Sequence, residues 1–89
     1  MAITPETPKY AITLTEIYYH TGRIDEAIKT MEEVVKRRPS RIPYREALIK
    51  LYEEAEEYEL ALECCQSILE IDTTNIKAKK KSLELRNKL

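Results

Sequence analysis

Few residues in this chain could do covalent or metal chemistry. There is one histidine, His20, and there are two cysteines, Cys64 and Cys65, which are adjacent. Neighbouring cysteines close only a small, strained disulfide ring, and their side chains diverge on a helix. They read as free thiols filling small apolar spaces. A Cys-x2-Cys pair is absent, and a single histidine leaves little material for a histidine metal site or a Ser/His/Asp triad. The single glycine, Gly22, excludes a glycine-rich phosphate cradle. Acidic residues are plentiful, but no pair is marked as one acid in a desolvated cleft beside a partner, which glycoside hydrolysis requires. The reading is therefore of a non-enzyme without metal or cofactor, and His20 reads as a polar cap at a helix end or a groove residue.

The charges suggest recognition instead. Lys and Arg number 15 and Asp and Glu 16, for a net charge of −1. That balance gives no global attraction to nucleic acid or membrane. The charges are nevertheless segregated. Residues 51–72 carry eight acids and no base, residues 36–50 six bases and one acid, and residues 73–89 six bases and one acid. Such blocks serve as solvated faces with complementary neighbours, as partner recognition, or as head-to-tail contacts between acidic and basic surfaces. The basic run Lys77–Lys81 contains no aromatic residue on which a base could stack, so it reads against nucleic acid as a partner. No apolar run is long enough to cross a membrane, and Met1–Tyr10 lacks the basic and apolar regions of a secretory signal. With two free thiols, the chain reads as cytoplasmic.

Five segments must position these residues. Glycine and proline are nearly absent from their interiors, while Ala, Leu, Glu and Lys are abundant. The first helix is expected at about 8–20, with Thr7 as N-cap, Pro8 at the first helical position, and Tyr10, Leu14, Ile17 and Tyr18 as one apolar stripe. Gly22 then ends it in a left-handed conformation. The second, at about 24–37, buries Ala27, Ile28, Met31, Val34 and Val35, and Arg38-Pro39-Ser40 stops it. The third, at about 42–55, has Pro43 in its first turn and Tyr44, Ala47, Leu48, Leu51 and Tyr52 inside. The fourth, at about 58–71, has Leu60, Ala61, Leu62, Cys65, Ile68, Leu69 and Ile71. Asp72–Asn75 is a turn rich in capping residues, and a fifth helix follows at about 76–88 with Ile76, Ala78, Leu83 and Leu85 and a terminal Leu89. No segment alternates with period two, so no sheet is expected.

A shift of 34 residues brings the chain onto itself. Tyr10 meets Tyr44, Leu14 meets Leu48, Tyr18 meets Tyr52 and Ala27 meets Ala61. Ile17/Leu51, Ile24/Tyr58, Ile28/Leu62, Val34/Ile68 and Val35/Leu69 stay apolar in both copies, whereas charged positions drift. A fixed period of 34 with two helices per unit is the signature of stacked helical hairpins.

With these residues the chain resembles the tetratricopeptide repeat family. The first copy reads Ala11-x2-Leu14-Thr15-x2-Tyr18, Gly22, Ala27-x3-Met31 and Pro39. The second reads Arg45-x2-Leu48-Ile49-x2-Tyr52, then Ala61-x3-Cys65, with Thr73 in place of the closing proline. The tryptophan of the family pattern is missing, with Tyr10 and Tyr44 one residue earlier. Thr15 and Ile49 replace its small helix-A residue, and Glu56 replaces the second turn glycine. The resemblance implies an all-α, right-handed superhelical α-solenoid forming one domain over 1–89. Its repeats would be 8–41 and 42–75, and 76–89 would be a C-terminal capping helix, because stacked hairpins need a polar-backed end.

The resemblance also implies a non-enzymatic protein–protein interaction module or scaffold. It would bind a peptide or partner helix in the concave groove of the first, third and fifth helices. Carried onto this chain, groove positions are Lys9, Ile12, Thr13, Glu16, Tyr19 and His20, then Glu46, Lys50, Glu53 and Glu54, then Lys77, Lys80, Lys81 and Glu84. The groove is expected to grade from apolar through mixed charge to basic. One subclass grips the C-terminal Glu-Glu-Val-Asp of heat-shock chaperones with a carboxylate clamp. Its positions fall on Ile12, Glu16, Ala47, Lys77 and Lys81, of which only the last two have the right chemistry, and Glu16 repels a carboxylate. Alternative readings are a homo-oligomer assembling through Tyr10, Ile3 or Leu89, or a piece of a larger repeat scaffold.

Overall fold

A computed structural model of the chain describes residues 8–89. Thr7 and Ile3, and the stretch of Met1–Tyr10 before residue 8, lie outside the described residues. The elements are α1 (Pro8–His20), α2 (Ile24–Arg37), α3 (Ile42–Glu54), α4 (Tyr58–Ile71) and α5 (Ile76–Lys88), with no strand among the described residues. Pro43 sits in the first turn of α3, where a missing N–H leaves no bond unmade. α3 stops at Glu54, one residue before the expected end, because Ala55 has already left helical geometry at ψ 0°. Asn75 caps α5, its side chain accepting from the Ala78 N–H at 2.9 Å. Asp72 organises the turn before it, with Oδ1 accepting from the Thr74 amide at 3.2 Å and its hydroxyl at 2.9 Å.

The 34-residue shift reappears in the backbone hydrogen bonds of the turns. After α1, the Gly22 N–H donates to the Tyr19 carbonyl at 3.2 Å and the Arg23 N–H to the Tyr18 carbonyl at 2.7 Å. After α3, Glu56 donates to Glu53 at 3.0 Å and Glu57 to Tyr52 at 2.8 Å. Each pair is a Schellman closure, which needs a left-handed residue just past the helix. Gly22 supplies it at φ 81° and Glu56 at φ 61°. The helix ends behave alike: Arg38 donates to Val34 and Asp72 to Ile68, at 2.9 and 2.8 Å.

The backbones pack only between consecutive helices, so the described residues form an α-solenoid of 45 × 27 × 15 Å. Its core runs along the stack from Ala11 through Ala27, Met31, Leu48, Ile49, Leu51, Tyr52, Ala61, Cys65 and Ile68 to Leu85. Ala27 and Ala61 are fully buried, where a small side chain lets helices approach closely. Thr15 is buried too, its hydroxyl satisfied by the Ala11 carbonyl at 2.8 Å.

The expected apolar stripe of α1 needs correction. Ala11 and Thr15 are its buried residues, while Ile17 is 53% exposed. Its counterpart Leu51 is 5% exposed. The difference is positional: α3 has α2 packed before it, and no described helix precedes α1. Leu60 and Ile71 on α4, and Ile76, Leu83 and Leu89 at the C-terminal end, are likewise exposed rather than core. α5 seats itself on α4 through Ala78, Ser82 and Leu85.

Candidate functional site: the groove along α1, α3 and α5

Side chains of alternate helices share one face of the stack and line two hollows there. The first, about 430 Å³, lies between α1 and α3. Ile12, Glu16, Tyr19 and His20 form one wall and Pro43, Tyr44, Ala47, Lys50 and Leu51 the other, with Thr15 and Met31 beneath. The second, about 340 Å³, lies between α3 and α5 and is lined by Glu46, Ile49, Lys50, Glu53, Lys77, Ala78 and Lys81, with Ile68 of α4 beneath. Lys50 lines both.

Of the residues carried over from the family pattern, nine line these hollows: Ile12, Glu16, Tyr19, His20, Glu46, Lys50, Glu53, Lys77 and Lys81. Lys9, Thr13, Glu54, Lys80 and Glu84 do not. Thr13 turns its hydroxyl back to the Lys9 carbonyl at 3.0 Å. Lys80 falls on the outer side of α5, away from the buried line Ala78, Ser82 and Leu85. Tyr44 and Leu51, read from sequence as core, also wall the first hollow. Their position one helical turn either side of Ala47 was the available signal, and apolar type masked it.

Long side chains tie the groove helices together across the hollows. Tyr19 on α1 donates its hydroxyl to Glu54 Oε1 on α3 at 3.3 Å. Lys81 on α5 meets Glu53 Oε2 on α3 at 3.1 Å and Glu84 Oε1 at 3.3 Å. The hydrogen bond to Glu53 holds the Lys81 ammonium above its ordinary pKa, although partial burial opposes it. Glu53 therefore answers the charge of the expected basic end, and that hollow mixes two acids with three bases. Tyr19 also stacks edge-on against His20, with ring centroids 5.4 Å apart.

The other reactive groups are structural. Tyr52 donates to Glu32 Oε2 on α2 at 2.5 Å, and burial, reinforced by that carboxylate, pushes its phenol far above the usual range. Burial pushes the Cys64 and Cys65 thiols up to about 11, so neither is a thiolate nucleophile at neutral pH. Among the described residues no group of three or more His, Cys, Asp or Glu is placed to hold a metal ion.

Residues 12–41 match the model of the tetratricopeptide repeat family. The chain carries a tetratricopeptide repeat. The matched stretch takes in most of α1, all of α2 and the turn to Arg41. Comparison with curated proteins gives no match. Tetratricopeptide repeats mediate protein–protein interactions and are typically non-catalytic. No described helix is long and apolar enough to cross a membrane.

Proposed function

We propose that this tetratricopeptide repeat protein binds an extended segment of a partner protein along α1, α3 and α5, as a non-catalytic cytoplasmic module. On this reading residues 8–41 and 42–75 are two repeats and 76–89 a capping helix. The supporting observation is the pair of hollows on one face, joined at Lys50. The first offers an apolar, aromatic seat between Ile12, Tyr19 and Tyr44. The second offers charges of both signs, with Lys81 already held by Glu53. An apolar anchor in the first hollow followed by polar residues along the second suits this arrangement better than a terminal carboxylate does. Glu16 stands where a clamp would need an amide.

Affinity capture from a cytoplasmic extract tests this, comparing the intact chain with an Ile12→Asp/Tyr19→Ala/Lys50→Glu variant. All three substituted positions are half-buried or exposed, so the fold survives. Partners held by the intact chain and lost by the variant support the groove. Identical partner sets move the binding site elsewhere.

A further inference from the structure

The two charge blocks of the C-terminal half lie on neighbouring helices and face outward. α4 presents Glu59, Glu63 and Glu70 to solvent, with Leu60 and Ile71 exposed along one border. α5 is buried against α4 through Ala78, Ser82 and Leu85, so its opposite side carries Ile76, Lys80 and Leu83, flanked by Lys79 and Arg86. Ile76 is 67% and Leu83 60% exposed. None of these three acids and three bases forms an ion pair among the described residues. The bases of α5 that are engaged, Lys81 and Lys88, point elsewhere: Lys81 to Glu53, Lys88 over the Tyr58 ring at 5.5 Å.

We propose that a second copy of this chain covers this end of the molecule, the basic outer face of α5 meeting the acidic outer face of α4 of its mate. Charge complementarity selects the occupant. A face of Lys79, Lys80 and Arg86 around two exposed aliphatic residues calls for acids bordered by aliphatic residues, and α4 has both. The two faces belong to consecutive helices of nearly equal length, about 20 Å each. The basic face of α5 lies opposite its seat on α4, so it and the acidic face of α4 point in different directions. The contact between two copies is therefore heterologous, basic face to acidic face, and can repeat from copy to copy. Isolated solvated ion pairs bind weakly and are screened by salt, so the association is weak and salt-sensitive. The groove of α1, α3 and α5 stays open.

Light scattering over a concentration series tests this on the full chain. The expected average mass rises with concentration from 10.4 kDa to twice that value and beyond. The association constant should fall about tenfold between ~20 mM and ~500 mM salt. Lys79→Glu/Lys80→Glu/Arg86→Glu and Glu59→Lys/Glu63→Lys/Glu70→Lys change exposed positions, so each should stay helical by circular dichroism and monomeric alone. An equimolar mixture of the two should associate, because each presents the charge the other lacks. A wild-type mass fixed at that of one chain, association indifferent to salt, or reversed variants that pair with themselves as the wild type does would each overturn the proposal. So would a mixture that stays monomeric, which would leave the basic face to a different acidic partner.

Discussion

Glu56 stands 34 residues after Gly22 and holds the same left-handed backbone, φ 61° against 81°, closing the same pair of hydrogen bonds. A side chain in that region costs about 1 kcal/mol. Glycine avoids the cost but has more freedom to lose on folding. Glu56→Gly is therefore expected to raise unfolding stability by up to about 0.5 kcal/mol. Gly22→Ala should lower it by about 1 kcal/mol, from backbone strain alone, since a Cβ there meets nothing within 4 Å. Urea titration of the two variants measures both signs.

Ile17 and Leu51 occupy the same place in the two hairpins with opposite exposure. Leu51→Ala removes a side chain packed among α2 and α3 and should cost about 2–4 kcal/mol. Ile17→Ala should cost under about 1 kcal/mol. Chemical denaturation of both at one protein concentration checks this, and equal losses would mean that something covers α1 in solution.

Asn75 caps α5 through its side chain, whereas Arg41, its counterpart before α3, makes no such bond. Asn75→Ala should destabilise by about 1 kcal/mol, and Arg41→Asn should stabilise α3 by a similar amount. The comparison is read from thermal melts of the two variants.

The thiols of Cys64 and Cys65 have pKa values raised to about 11 from an ordinary 9. A group whose folded pKa is raised contributes its stability fully below the unfolded value and loses it as pH climbs. Stability should hold up to pH 9 and fall between pH 9 and 11, by on the order of 2 kcal/mol per thiol. Cys64→Ala/Cys65→Ala, less stable at neutral pH, should lose less over that interval. The same burial predicts slow labelling by a thiol reagent at pH 7.5 until denaturant is added.

Most helix ends were legible in the sequence because they carry punctuation, at Pro8, Gly22, Pro39, Pro43 and the Asp72–Asn75 turn, whereas the α3–α4 turn at Glu56 carries none. The 34-residue period was legible because Tyr18/Tyr52 and Ala27/Ala61 persist at packed positions. The exposure of Ile17 and Leu83 was not legible, since an apolar residue at helical spacing is buried only where another helix lies over it. Neither was the Lys81–Glu53 pair, which spans 28 residues and depends on how α5 is seated beside α3. That pair turned an expected basic groove end into a mixed one. The placement of Lys80 on the outer face follows from the same seating.

On the proposed function, the face joined at Lys50 binds an extended peptide. Random peptides selected on the intact chain and titrated into isotope-labelled protein test it most directly by amide shifts. Shifts clustered at Ile12, Tyr19, Tyr44, Lys50 and Lys77, with affinity lost at least tenfold in Tyr19→Ala/Lys50→Glu, are the predicted result. Shifts confined to the outer surfaces of α2 and α4, with affinity unchanged in that variant, would contradict it.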